Sequence, residues 1–169
     1  MSKTMQINVT TDNSSLKVDL AGRVDENAVF PKVEEPSIGS VRIDLDGIQS
    51  ISSAGVRRWV SWIWNLEKQY PSATITLSRC QVPMVHQITT FRKFLPAKSV
   101  IESLYIPYFC ENCSEDHAVL YERSALEKDG AYLPELLQNK NVPCEVCAKP
   151  MVLDIDPATC ASLFAPTRP

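Results

Sequence analysis

The sequence predicts an α/β protein followed by a small cysteine-bound module, and three observations carry that expectation. Short stretches alternating apolar with polar residues are interleaved with two stretches of helical periodicity. Charge shifts near Pro107: residues 1–107 carry 12 Lys and Arg against 10 Asp and Glu, whereas residues 108–169 carry 5 against 10. Cysteine shifts at the same place, with Cys80 alone in the first part and two Cys-x-x-Cys pairs in the second. The expected organisation is therefore a domain over 1–107 and a module over 108–169.

Each element has its own reason. "MQINVTT" and "SLKVDLAG" alternate as half-buried strands do, and "DNSS" between them is turn-forming, which predicts a hairpin. "RVDENAVFPKVEEP" is too broken by proline for a long helix and has room for one short turn. "SVRIDLDG" predicts a third strand, "TITLS" a fourth and "SVIESLYI" a last one. The helices are expected in "AGVRRWVSWIWNLEKQ" and "PMVHQITTFRKFL". Strands separated by helices of this length imply crossover connections and a mainly parallel sheet with an antiparallel edge. In the first helix Val56, Trp59, Val60, Ile63 and Leu66 share one face, with Trp62 and Trp64 on its flanks. Trp62 is either edge-of-core packing or an aromatic anchor beside Arg57 and Arg58.

Composition narrows the functional classes. A net charge of −3 gives no sign of a nucleic-acid or membrane-surface protein. No apolar run approaches the ~18 residues of a membrane span, and the N-terminal stretch lacks a signal-peptide core, so a cytoplasmic location is expected. Thiols there stay reduced, which favours a metal over disulfides. No nucleotide-binding glycine loop, catalytic-triad spacing or paired acid–base motif is present, so no enzymatic role is expected. His86 has no chemical partner near it in sequence and receives no role.

Two stretches resemble the STAS domain, the anti-sigma-factor-antagonist fold also found on sulphate transporters. "LKVDLAGRVDE" is similar to that family's second strand and its Gly-x-x-Asp turn, here Gly22-Arg23-Val24-Asp25. "VRIDLDGIQSISSAGVRRW" resembles its strand, small-residue loop and helix opening, with Ser52-Ser53-Ala54-Gly55-Val56 in place of Asp-Ser-Ser-Gly-Leu. The resemblance covers about residues 5–106. It implies a STAS-like mixed sheet with crossover helices, and it puts Ser53 at the phosphoacceptor position, with Ser52 as the second candidate. It also implies binding to an anti-sigma factor or related kinase, switched off by the phosphate. The family's acidic residue before the acceptor is Ser52 here, and the serine after it is Ala54. Physically, a serine at a helix N-terminus caps unpaired N–H groups, and a phosphate there meets the positive end of the helix dipole. Gly55 is expected to leave the backbone open to approach. Arg57, Arg58 and Trp62 then form the expected partner surface.

In the second module, Cys110-x-x-Cys113 and Cys144-x-x-Cys147 form two knuckles thirty residues apart, a strong signal for a structural zinc site. So short a segment buries little core, and metal binding supplies folding free energy. The arrangement resembles a zinc ribbon with a long insertion. "AVLYER" and "MVLDID" are expected strands, "AYLPELLQN" a helix and "PATCASLF" a proline-started terminal helix. His117 could substitute for a cysteine, while Cys80 and Cys160 are simple buried thiols. Four thiolates around Zn²⁺ add negative charge to an acidic segment, so a protein partner is expected rather than nucleic acid. The leading expectation is a non-enzymatic regulatory binding protein. The alternatives are a scaffold that needs no phosphorylation and a small-molecule or lipid sensor.

Overall fold

The alternation read in the strands becomes a sheet with one buried face and one polar face. The computed structural model describes residues 4–128 and 133–164. Strands β1 (Gln6–Asp12), β2 (Ser15–Val24), β3 (Ser40–Ile51), β4 (Thr74–Ser78) and β5 (Val100–Ile101) form the first sheet in the order β1-β2-β3-β4-β5. β1 pairs antiparallel with β2, and the remaining neighbours are parallel. Asn13, at φ 52, makes the two-residue turn of the expected hairpin. Helix α1 (Ser53–Gln69) links β3 to β4, and α2 (Val82–Thr90) lies between β4 and β5.

Leu16, Val18 and Leu20 of β2 and Val41, Ile43 and Leu45 of β3 are buried. Their alternates carry ion pairs: Lys17 meets Asp19 at 3.2 Å, Arg42 meets Glu102 at 3.0 Å, and Arg79 reaches both Asp44 and Asp46. Parallel strands are usually covered on both faces and read as continuous apolar runs. Here one face stays wet, which is why the sequence alternates.

α1 is fixed at its start by two contacts with neighbouring backbone. The Ser52 hydroxyl accepts from the Gly55 N–H at 3.1 Å, and the Ser52 N–H donates to the Val24 carbonyl at 2.9 Å. Gly55 is buried, and a Cβ there would overlap the Val24 carbonyl. This corrects the expectation of an open backbone at Gly55: the missing side chain serves packing, letting the helix start against the end of β2. Trp59, Ile63 and Leu66 are buried as expected, Val56 and Val60 are only half-buried, and Trp62 is buried with them. α2 stops at Thr90, five residues short of the expected end. The Thr89 and Thr90 hydroxyls bond back to the Val85 and His86 carbonyls, the competition that ends helices in β-branched, hydroxylated runs.

No helix forms in residues 25–39; the room for a short turn is used by one hydrogen-bonded turn, in which the Ala28 N–H donates to the Asp25 carbonyl at 3.1 Å. This segment is an extended strap laid over α1. Phe30 stacks on Trp62 with ring centroids 4.8 Å apart. Trp62 donates to the Pro31 carbonyl at 3.0 Å, Gln69 donates to that of Val33, and Tyr70 to that of Glu35. On the other side Trp59 and Trp64 donate to the carbonyls of Phe94 and Lys93. Three indoles thus pin two irregular segments to one helix.

The expected last strand divides in two. β5 ends at Ile101, and β6 (Ser103–Cys110) becomes the centre of a second, antiparallel sheet between β7 (Glu115–Glu122) and β8 (Val152–Leu153). Pro107 therefore falls inside a strand. Its carbonyl accepts from the Asp154 N–H, so its missing N–H faces the short β8 side and leaves the β7 ladder intact. Helices α3 (Arg123–Lys128) and α4 (Leu133–Asn139) and a closing 3-10 helix (Pro157–Ser162) complete the chain. The helix expected over 131–139 is seen from Leu133, residues 131 and 132 lying outside the described residues. One continuous apolar cluster holds residues of both sheets, from Leu16 through Leu104 and Ile106 to Leu137 and Cys160. No described helix is long and apolar enough to cross a membrane.

Gly55→Ala should lower unfolding free energy by about 2–3 kcal/mol, because the added methyl forces α1 away from Val24. Urea denaturation measures it. A change within experimental error would show that the helix start is free to shift.

Candidate metal centre and helix start

Each cysteine pair is built the same way. Cys110 ends β6, the Ser114 N–H closes back on the Cys110 carbonyl at 2.8 Å, and Ser114 takes φ 56. In the second knuckle the Ala148 N–H closes on the Cys144 carbonyl at 2.8 Å, and Ala148 takes φ 57. A left-handed residue directly after the second cysteine turns the chain sharply, so both sulfurs of a pair face one point. The Cys144 N–H donates to the Lys149 carbonyl, bracing the second knuckle across its base.

The four sulfurs converge, all within 4.8 Å of one another. Cys110 and Cys147 sulfurs are 3.6 Å apart, and those of Cys113 and Cys144 are 4.0 Å apart. A tetrahedron with metal–sulfur bonds near 2.3 Å has edges of about 3.8 Å. A disulfide would need about 2.05 Å, and all four thiols are free. The set therefore fits a tetrahedral metal ion.

Local electrostatics favour a thiolate at the two cysteines of the second knuckle, Cys144 and Cys147, and not at Cys110 or Cys113. The Cys144 sulfur accepts from the Cys147 and Val146 N–H groups, which lower its pKa, and the Lys149 N–H helps pull Cys147 down to about 7. With no metal bound, hydrogen bonding to the Cys147 sulfur pushes Cys113 up to about 12, so four thiols in contact cannot all ionise. A cation resolves that conflict. His117 of β7 lies with Nε2 3.5 Å from the Cys144 sulfur. With its proton on Nε2 it would donate to the Cys144 sulfur, the outer-shell role that fixes the orientation of a metal-bound thiolate. Sequence spacing found the four cysteines that converge, but the His117 contact needed the β6–β7 register, which sets His117 opposite Tyr108. Cys80 and Cys160 are fully buried, and burial pushes both thiols up.

At the start of α1 the two serines have separate situations. Ser52 is the N-cap, half-buried with its hydroxyl engaged, whereas Ser53 is the exposed first residue of the helix. Arg57 and Arg58 are exposed one turn further on, with no ion pair among the described residues. Trp62 retains only 8% of its surface, because the strap's Phe30 covers it. No protein-family profile matches the chain, and no curated protein is significantly similar to it.

Removing the metal with a chelator should raise hydrogen exchange at 110–117 and 142–153 while the amides of β2–β4 stay protected. Acidification should release the ion too: a bound cation holds the thiol pKa values below their metal-free values, so its stabilisation is present at neutral pH and lost as pH falls. His117→Ala should weaken the metal by about ten-fold or more in competition with a chromophoric chelator. Unchanged competition would assign His117 to packing alone.

Proposed function

We propose that the chain is a non-enzymatic regulatory binding protein of the STAS, anti-sigma-factor-antagonist kind, with a structural zinc ion in a ribbon-like extension. One observation carries this reading: capping and exposure are divided between the two adjacent serines of α1. Ser52 is committed to the helix, which leaves Ser53 exposed and able to carry a modification without unwinding the cap. A phosphate on Ser53 would add about −1.5 to −2 charges at the positive end of the helix dipole, where the fold tolerates them. A partner docking over α1 would then have to desolvate that charge, at a cost of several kcal/mol. Arg57 and Arg58 supply exposed positive charge on the same surface. Four thiolates at tetrahedral spacing support zinc, a closed site that holds structure and leaves no open position for catalysis.

Wild type, Ser53→Ala and Ser53→Asp, each immobilised and exposed to the native cell extract, should capture a partner equally for the first two. Ser53→Asp should capture it at least about ten-fold less. Equal capture by all three, with no phosphoserine on cellular protein, would reject the switch. Elemental analysis should give one zinc per chain, and iron with visible absorbance would reject zinc.

A further inference from the structure

A groove of about 830 Å³ runs along α1 beside the strap, within the range of ligand-binding clefts. Its floor includes Phe30, Trp62 and Leu66, and Lys32, Arg57 and Arg58 line it. None of these three cations has an ion pair among the described residues. Glu26 and Glu34 also line the groove, which leaves it one charge positive in a chain of net −3.

The strap adds an independent feature. Its Pro31, Val33 and Glu35 carbonyls face α1 and accept from Trp62, Gln69 and Tyr70. No backbone N–H from Val29 to Ile38 donates to any described group. An extended segment with free donors beside a groove is a template for main-chain pairing.

We propose that this groove binds an extended, acidic peptide segment. The proposal rests on the reading of α1 as the partner surface, and it names the chemistry of what docks there. Peptide carbonyls would take up the strap's free N–H groups, carboxylates would meet Lys32, Arg57 and Arg58, and an apolar side chain would cover the Phe30–Trp62 stack. Arg57 lies four residues from Ser53, the spacing at which helical side chains meet. A phosphate on Ser53 would therefore compete for the same arginine, turning a local charge into loss of the acidic segment.

A random-peptide phage library selected on the full chain, with counter-selection on Arg57→Glu/Arg58→Glu, tests the proposal. Both arginines are exposed, so the double variant should keep its melting temperature. The recovered peptides should be enriched in Asp and Glu around apolar positions. A synthetic representative should shift the tryptophan emission, since all three tryptophans lie in α1. It should also bind the double variant and Lys32→Glu at least about ten-fold more weakly, and lose affinity as salt rises. Peptides without acidic bias, or affinity that survives both charge reversals, would overturn the proposal. A partner captured from extract but not displaced by the acidic peptide would overturn the groove and leave the binding-protein reading standing. Saturable, charge-dependent peptide binding with no captured partner would leave the groove standing and remove that reading.

Discussion

Residues 100–110 are the stretch of backbone on which both halves of the molecule depend. Val100 and Ile101 close the first sheet, Ser103 opens the central strand of the second, and Cys110 at its end belongs to the four-cysteine group that could hold a metal ion. The junction is hydrogen-bonded at every step: the Glu102 N–H donates to the Leu77 carbonyl, Cys80 to Ser103 and Tyr105 to Cys80. The buried Ser103 hydroxyl accepts from the Arg79 N–H at 2.8 Å, so this polar atom inside the core is satisfied. The four-cysteine group is thus built on one end of a strand whose other end is anchored in the first sheet. The position of the Cys110 sulfur inherits the rigidity of that core.

The polar face of the first sheet reinforces the same junction. Arg79, held at φ 49 just after β4, binds Asp44 through Nε at 2.9 Å and Asp46 through a second nitrogen at 3.0 Å. Asp46 also accepts from Tyr105 of β6 at 2.9 Å and from Gln81. Exposed ion pairs in isolation contribute little, about 0–1 kcal/mol. A network with one forked guanidinium and a shared carboxylate is more ordered, and it ties β3, β4 and β6 together. Burial and hydrogen bonding both raise the Tyr105 pKa, which keeps its hydroxyl a donor to Asp46.

α1 plays a corresponding part on the other face. A tryptophan is large and has one polar atom, so a buried indole needs a nearby acceptor. Trp59, Trp62 and Trp64 each find a carbonyl in a segment without regular structure, and those segments gain order from the helix. The strap's Pro31, Val33 and Glu35 carbonyls are taken up by α1 on this side. The same packing that buries Trp62 creates the surface beside it.

Local patterns determined much of this protein. Alternation placed β1 to β4 and β7, the three-and-four spacing placed α1, and the doubled Cys-x-x-Cys named four cysteines whose sulfurs converge. These features are legible because strands, amphipathic helices and metal knuckles are each specified within a few residues. Tertiary structure alone decided the rest. Whether Ser52 or Ser53 caps α1 depends on where Val24 accepts the incoming backbone, and Gly55 is glycine for the same remote carbonyl. Residues 25–39 have no periodicity to read, because their order comes from side chains of α1 around thirty-five positions later. "SVIESLYI" reads as one strand, yet it serves two sheets, since strand pattern records burial and not which neighbour the backbone will pair with. His117 came to the Cys144 sulfur by strand register, a contact that sequence spacing does not encode.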